Sequence, residues 1–172
     1  RKLLPARKET AMRTLTLGHS PDSDDAFMFY GLASGRVPTE GLAYDHVLRD
    51  IQTLNEWAKT GKLDTTAISV HAYAYVADTY AILTHGASMG EKDYGPIVVA
   101  RERLSLAQLS TTEILVPGKL TTAFLVLKMA LGGAVNCRVV PFDEIVPAFA
   151  SGDASAGLLL HAETTTYVDF RL

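Results

Sequence analysis

Ala154-Ser155-Ala156-Gly157-Leu158-Leu159-Leu160-His161-Ala162-Glu163 is a short apolar run that ends abruptly on an ionisable side chain. Bounded by Gly152-Asp153 before it and Thr164-Thr165-Thr166 after it, the run reads as a buried parallel strand with His161 at its carboxyl end. In open α/β sheets the carboxyl ends of the strands border the ligand crevice, so this fold class would bring an imidazole to the place where small molecules bind. A lone histidine behind an apolar run is more commonly a surface or hydrogen-bonded core residue. The surrounding chain has to decide between the two.

Upstream of that run lies a second informative stretch. Residues 113–116 form a β-branched strand pattern, followed by the turn Pro117-Gly118-Lys119-Leu120-Thr121-Thr122 and an apolar helix over residues 123–131. A strand, a glycine-bearing turn and a threonine-started helix aim backbone N–H groups and two hydroxyls at one point, an arrangement suited to a carboxylate or phosphate. A structural helix cap is the other reading of the same residues. The spacing matches neither the Walker nor the dinucleotide glycine pattern. Residues 97–100 and 137–140 read as further strands, 104–109 as a short helix or turn, and 142–150 as a helix made irregular by Pro147.

The first half repeats this alternation. Residues 13–18 have the Thr content and alternation of a strand. His19-Ser20-Pro21-Asp22-Ser23-Asp24-Asp25 then opens a helix in which Asp22 or Ser23 caps the first turn and Gly35 supplies the stop. Capping is preferred over a divalent cation as the reason for the three aspartates, because no second ligand cluster accompanies them. Residues 42–48 and 63–68 read as strands, with an amphipathic helix over 50–61 between them. Ser69 follows as both a cap and a hydroxyl at a strand-to-helix junction, introducing a short helix over 70–76. His71, Tyr73 and Tyr75 line a cleft or pack at its rim. Residues 80–83 read as one more strand, and the glycine-rich, aperiodic stretch 85–96 as a crossover.

Composition narrows the function classes. Of 172 residues, 48% are apolar and 20% charged, the balance of an ordinary globular protein. With 16 Lys and Arg against 19 Asp and Glu, there is no basic field for nucleic acid. One cysteine, Cys137, excludes an intramolecular disulfide and a thiolate-rich metal site. No run approaches the about 20 apolar residues of a membrane span. The segment 1–11 is basic without a signal-peptide apolar core and reads as a flexible leader, which points to a cytoplasmic chain. The expected organisation is an incomplete first α/β lobe over 12–93 and a second lobe, with the crossover, over 94–172.

Several segments together resemble the 1,4-dihydroxy-6-naphthoate synthase family of the futalosine route to menaquinone. They are Gly18-His19-Ser20-Pro21-Asp22-Ser23-Asp24-Asp25-Ala26-Phe27-Met28-Phe29-Tyr30, Asp50-Ile51-Gln52-Thr53-Leu54-Asn55, Ala67-Ile68-Ser69-Val70-His71-Ala72-Tyr73 and Gly95-Pro96-Ile97-Val98-Val99-Ala100-Arg101. Val116-Pro117-Gly118 with Thr121-Thr122-Ala123, and Ala156-Gly157-Leu158-Leu159-Leu160-His161, complete the set. The resemblance implies a two-lobed α/β architecture like type-2 periplasmic binding proteins, with the first lobe incomplete because family chains run on beyond this one. It implies a lyase, needing no cofactor, that splits cyclic dehypoxanthinyl-futalosine. His161 would be the proton acceptor, Thr121 and Thr122 would bind substrate, and Ala67, Ile68 and Ser69 would line the pocket from the other lobe. The family Glu after the catalytic histidine is here Ala162. Two alternatives stand beside this expectation: a non-catalytic module closing on a carboxylated small molecule, and a chorismate dehydratase of the same fold. An apolar face left by the missing helices would favour a homodimer.

Overall fold

The computed structural model describes residues 12–90 and 95–160. The leader, the middle of the crossover, and His161 with everything after it lie outside the described residues. Two sheets organise the rest. The first has the order β2-β1-β3, formed by β1 (Arg13–His19), β2 (Leu42–Leu48) and β3 (Thr65–Thr66), all parallel. Three helices follow these strands in turn: α1 (Ser23–Ala33), α2 (Ile51–Ala58) and α3 (Val70–Tyr73). Asp50 caps α2 by accepting the Thr53 N–H, while Gly35 and Gly61 take positive φ where α1 and α2 end.

The second sheet has the order β4-β7-β5-β6, from β4 (Ile97–Ala100), β5 (Ile114–Val116), β6 (Cys137–Val139) and β7 (Ala156–Leu159). Helices α4 (Leu106–Leu109), α5 (Thr122–Ala130) and α6 (Ile145–Ser151) connect them. Every residue of β7 is buried. Leu158 and Leu160 pack with Ile114, Val116, Phe124 and Leu127 on the α5 side, and Leu159 packs with Leu115, Ile145 and Phe149 on the α6 side. Burial on both faces is why the run is apolar without alternation. Gly157 lets α6 close on the strand, since a Cβ there would stand 3.0 Å from Ile145 Cγ2.

The strand is parallel to β5 as expected, but antiparallel to β4. The crossover explains the mixture: it delivers Ile97 opposite Leu159, at the carboxyl end of β7, so β4 starts where its neighbour finishes. Three further expectations need correction. Residues 80–83 are not a strand; Ile82 and Leu83 are 68% and 69% exposed, and among the described residues no strand lies beside them to supply ladder hydrogen bonds. The strand expected over 63–68 shrinks to Thr65–Thr66, which is all of it that pairs with β1. The irregularity at Pro147 resolves into a 3-10 turn (Phe142–Glu144) followed by α6, whose first turn tolerates a residue lacking an N–H.

Candidate functional site

Parallel pairing places the carboxyl ends of β1 and β3 side by side. The Ala67 N–H donates to the Gly18 carbonyl at 2.8 Å, which seats Ala67-Ile68-Ser69 next to His19 and Ser20. Ser69 holds the N-cap position of α3, yet its side chain makes no capping bond. Instead its Oγ accepts from Asn55 Nδ2 at 3.0 Å and its backbone N–H donates to Asn55 Oδ1 at 2.9 Å. The expected cap is therefore replaced by a two-point clasp, because a fully buried amide on α2 competes for both groups. Asn55 was visible only as part of a motif. Its signal, a polar residue on the apolar face of an amphipathic helix, marks a buried hydrogen-bonding role.

From the second lobe comes the turn between β5 and α5. Thr121 is 2% exposed; its hydroxyl donates to the Gly118 carbonyl at 2.9 Å and accepts the Phe124 N–H at 3.2 Å, capping α5. His71 joins this turn to α3. Its Nδ1 lies 3.2 Å from the Thr121 carbonyl, and its backbone N–H donates to Thr122 Oγ1 at 3.4 Å. With Nδ1 donating, Nε2 is left to accept from the Tyr75 hydroxyl at 3.4 Å. Ser69, Thr121 and Thr122, far apart in sequence, are thus drawn to one place through α3. Tyr73 and Tyr75 follow on the same short segment, with Tyr75 at the exposed rim.

The acidic opening of α1 is taken up internally. Asp22 occupies the N-cap position without a side-chain cap bond, and its carboxylate accepts from Ser20 Oγ at 3.0 Å. Asp25 accepts the buried Ser20 N–H at 2.7 Å; burial raises its pKa, opposed by that hydrogen bond. Asp24 accepts from Ser88 Oγ. Beneath them His19 is buried, stacked on Phe29 with ring centroids 4.6 Å apart, its Nδ1 3.0 Å from the Ser20 carbonyl and its Nε2 2.9 Å from His46 Nδ1. Burial lowers the His46 pKa, and the neighbouring His19 lowers it further. This imidazole pair supports the β1 end from the α1 side and escaped the sequence reading, because only strand register puts the two histidines on one face.

The parallel register of β5 and β7 pairs Leu115 with Gly157, so the chain leaves β7 at the same sheet end as the Pro117–Thr122 turn. His161 itself lies outside the described residues. A separate surface cavity, lined by Arg101, Glu102, Leu104, Thr112 and Ser155, opens at the other end of β7, away from these groups. Among the described residues no helix is long and apolar enough to cross a membrane.

Known proteins resemble this chain in sequence and in fold. A curated relative from Thermus thermophilus, 1,4-dihydroxy-6-naphtoate synthase, is 40% identical over 94% of this chain, which covers 57% of that relative's length. A crystal structure of a protein from Archaeoglobus fulgidus superposes with a TM-score of 0.84 at 44% identity, covering 91% of this chain and 57% of that one. The fold extends to an alkanesulfonate-binding protein from Xanthomonas axonopodis pv. citri, with a TM-score of 0.68 at 16% identity over 93% of this chain and 59% of that one. The fold is therefore periplasmic-binding-protein-like, and the chain spans under three fifths of the length of these three proteins. Residues 15–172 match the sequence profile of the family described as menaquinone biosynthesis, and the chain belongs to that family.

Proposed function

We propose that this chain carries the substrate crevice of a carbon-carbon lyase of the 1,4-dihydroxy-6-naphthoate synthase type, acting on cyclic dehypoxanthinyl-futalosine. The observation that supports it best is the convergence, through His71, of the Ala67-Ile68-Ser69 segment with Thr121 and Thr122. In this reading Ala67, Ile68 and Ser69 line the pocket from the first lobe. Thr122 and the backbone N–H groups at the positively polarised entrance of α5 favour the substrate carboxylate, while Thr121, whose buried hydroxyl is engaged by Gly118 and Phe124, holds that entrance in shape. His161, one residue past buried Leu160, is the proton acceptor; an imidazole with an ordinary pKa of about 6.5 takes a proton readily near neutral pH. The reaction needs no cofactor, and we place the protein in the cytoplasm, where a small-molecule biosynthetic enzyme meets its substrate.

Purified protein incubated with cyclic dehypoxanthinyl-futalosine is expected to release dihydroxynaphthoate, and His161→Ala to lose roughly 10²-fold or more of that rate. Equal turnover by both proteins would remove His161 from the chemistry. Calorimetry that finds tight binding with no product from either would replace the lyase by a carboxylate-binding module.

A further inference from the structure

Gln52 leaves α2 in the first lobe and lies flat against Gly118 in the second. Its Oε1 accepts the Leu120 N–H at 3.1 Å, and its Nε2 donates to Glu56 Oε1 at 3.1 Å on its own helix, so both ends of the amide are directed. A Cβ at position 118 would stand 2.1 Å from Gln52 Oε1 and 2.4 Å from both its Cδ and its Cγ. The φ of Gly118 is outside the left-handed region. The backbone conformation therefore does not call for glycine at this position; the space occupied by Gln52 does.

We propose that Gln52 is an inter-lobe latch, a positioning residue that seats on Gly118, holds the Leu120 amide and sets how closely the first lobe approaches the α5 entrance. His71 supplies the second anchor one turn away, at the Thr121 carbonyl and Thr122 Oγ1. The turn is consequently held from two elements of the opposite lobe, α2 at Leu120 and α3 at Thr121 and Thr122. Two anchors on separate helices resist rotation as well as separation, which one alone does not. Releasing Gln52 leaves the turn on the His71 contacts, free to pivot about them. This role goes beyond the lyase reading, because it requires no ligand and is decided on the unliganded chain.

The test combines two readouts. Hydrogen exchange at the Leu120 amide reports the latch, with the core amide of Leu115 as reference. Energy transfer from Trp57, the only tryptophan, to a label on Cys137, the only cysteine, reports lobe separation, since these residues lie on α2 and β6. Q52A is expected to speed Leu120 exchange roughly tenfold while sparing Leu115, and to lower the transfer. In a Glu56→Gln background, which avoids setting two carboxylates against each other at positions 52 and 56, Q52E retains the oxygen acceptor and is expected to keep the Leu120 amide protected. G118A is expected to act like Q52A, because its methyl group evicts the side chain. In the double variant it adds nothing, since that methyl enters vacated space. Unchanged Leu120 protection in Q52A overturns the proposal, as does a G118A effect equally large with and without Gln52. Should G118A not fold, Q52A and Q52E decide on the same two readouts.

Discussion

Replacing Asn55 by alanine tests whether the clasp on Ser69 holds the pocket-lining segment in place. The buried amide makes two hydrogen bonds, at 3.0 Å to Ser69 Oγ and 2.9 Å from the Ser69 N–H. Each neutral bond contributes about 1 kcal/mol net, and a buried donor left without a partner costs about 1–3 kcal/mol. The Ser69 hydroxyl is only half-buried and recovers part of its loss from water, whereas its backbone N–H has no such ready substitute. Adding the void left at a fully buried position, Asn55→Ala should cost about 2–4 kcal/mol. Ser69→Ala keeps the backbone bond but takes the hydroxyl partner from the fully buried Asn55 Nδ2, so it should cost about 1–3 kcal/mol. Urea unfolding of the parent, both single variants and the double variant reads these values and their coupling, which should be about 1 kcal/mol. An Asn55→Ala protein within about 0.5 kcal/mol of the parent, or a Ser69→Ala protein destabilised as much as Asn55→Ala, refutes the reasoning.

Two further outcomes follow from packing and protonation. Phe149 is fully buried between α6 and the sheet, so Phe149→Ala should destabilise the protein by about 3–5 kcal/mol in the same assay; a loss under about 1 kcal/mol would mean the α6 face is not a packed core. His46 has a folded pKa below its ordinary 6.5, so the unfolded chain binds the proton first and stability should fall as pH drops through and below about 6.5. Asp25, raised from 3.8, acts in the opposite sense: its contribution declines as pH climbs above 3.8. Denaturation midpoints of the parent and of His46→Gln between pH 5 and 8 separate the two, because only the parent should show the histidine-dependent loss; parallel profiles would contradict the buried imidazole pair.

Local chemistry made most elements legible before any coordinates. Thr121 caps the helix it precedes, Gly35 and Gly61 end theirs, and β7 is apolar throughout because α5 and α6 cover it on both faces. The failures share a cause. The apolar residues 80–83 look like a strand in isolation, but a strand exists only beside another strand, and neighbours are a property of the whole chain. Ser69 looks like a cap until Asn55, fourteen positions earlier, takes its hydroxyl and its amide.

Periodicity, caps and glycines thus determined by themselves that this is an α/β protein whose strand ends carry hydroxyls and turns. These are interactions within a few residues, so the chain declares them directly. Tertiary structure alone decided that α3 joins Ser69 to Thr121 and Thr122, that two histidines share one sheet face, and that Gln52 rests on Gly118. Such pairings form between residues tens of positions apart, where register and helix packing set which side chains meet and no local pattern encodes the distance.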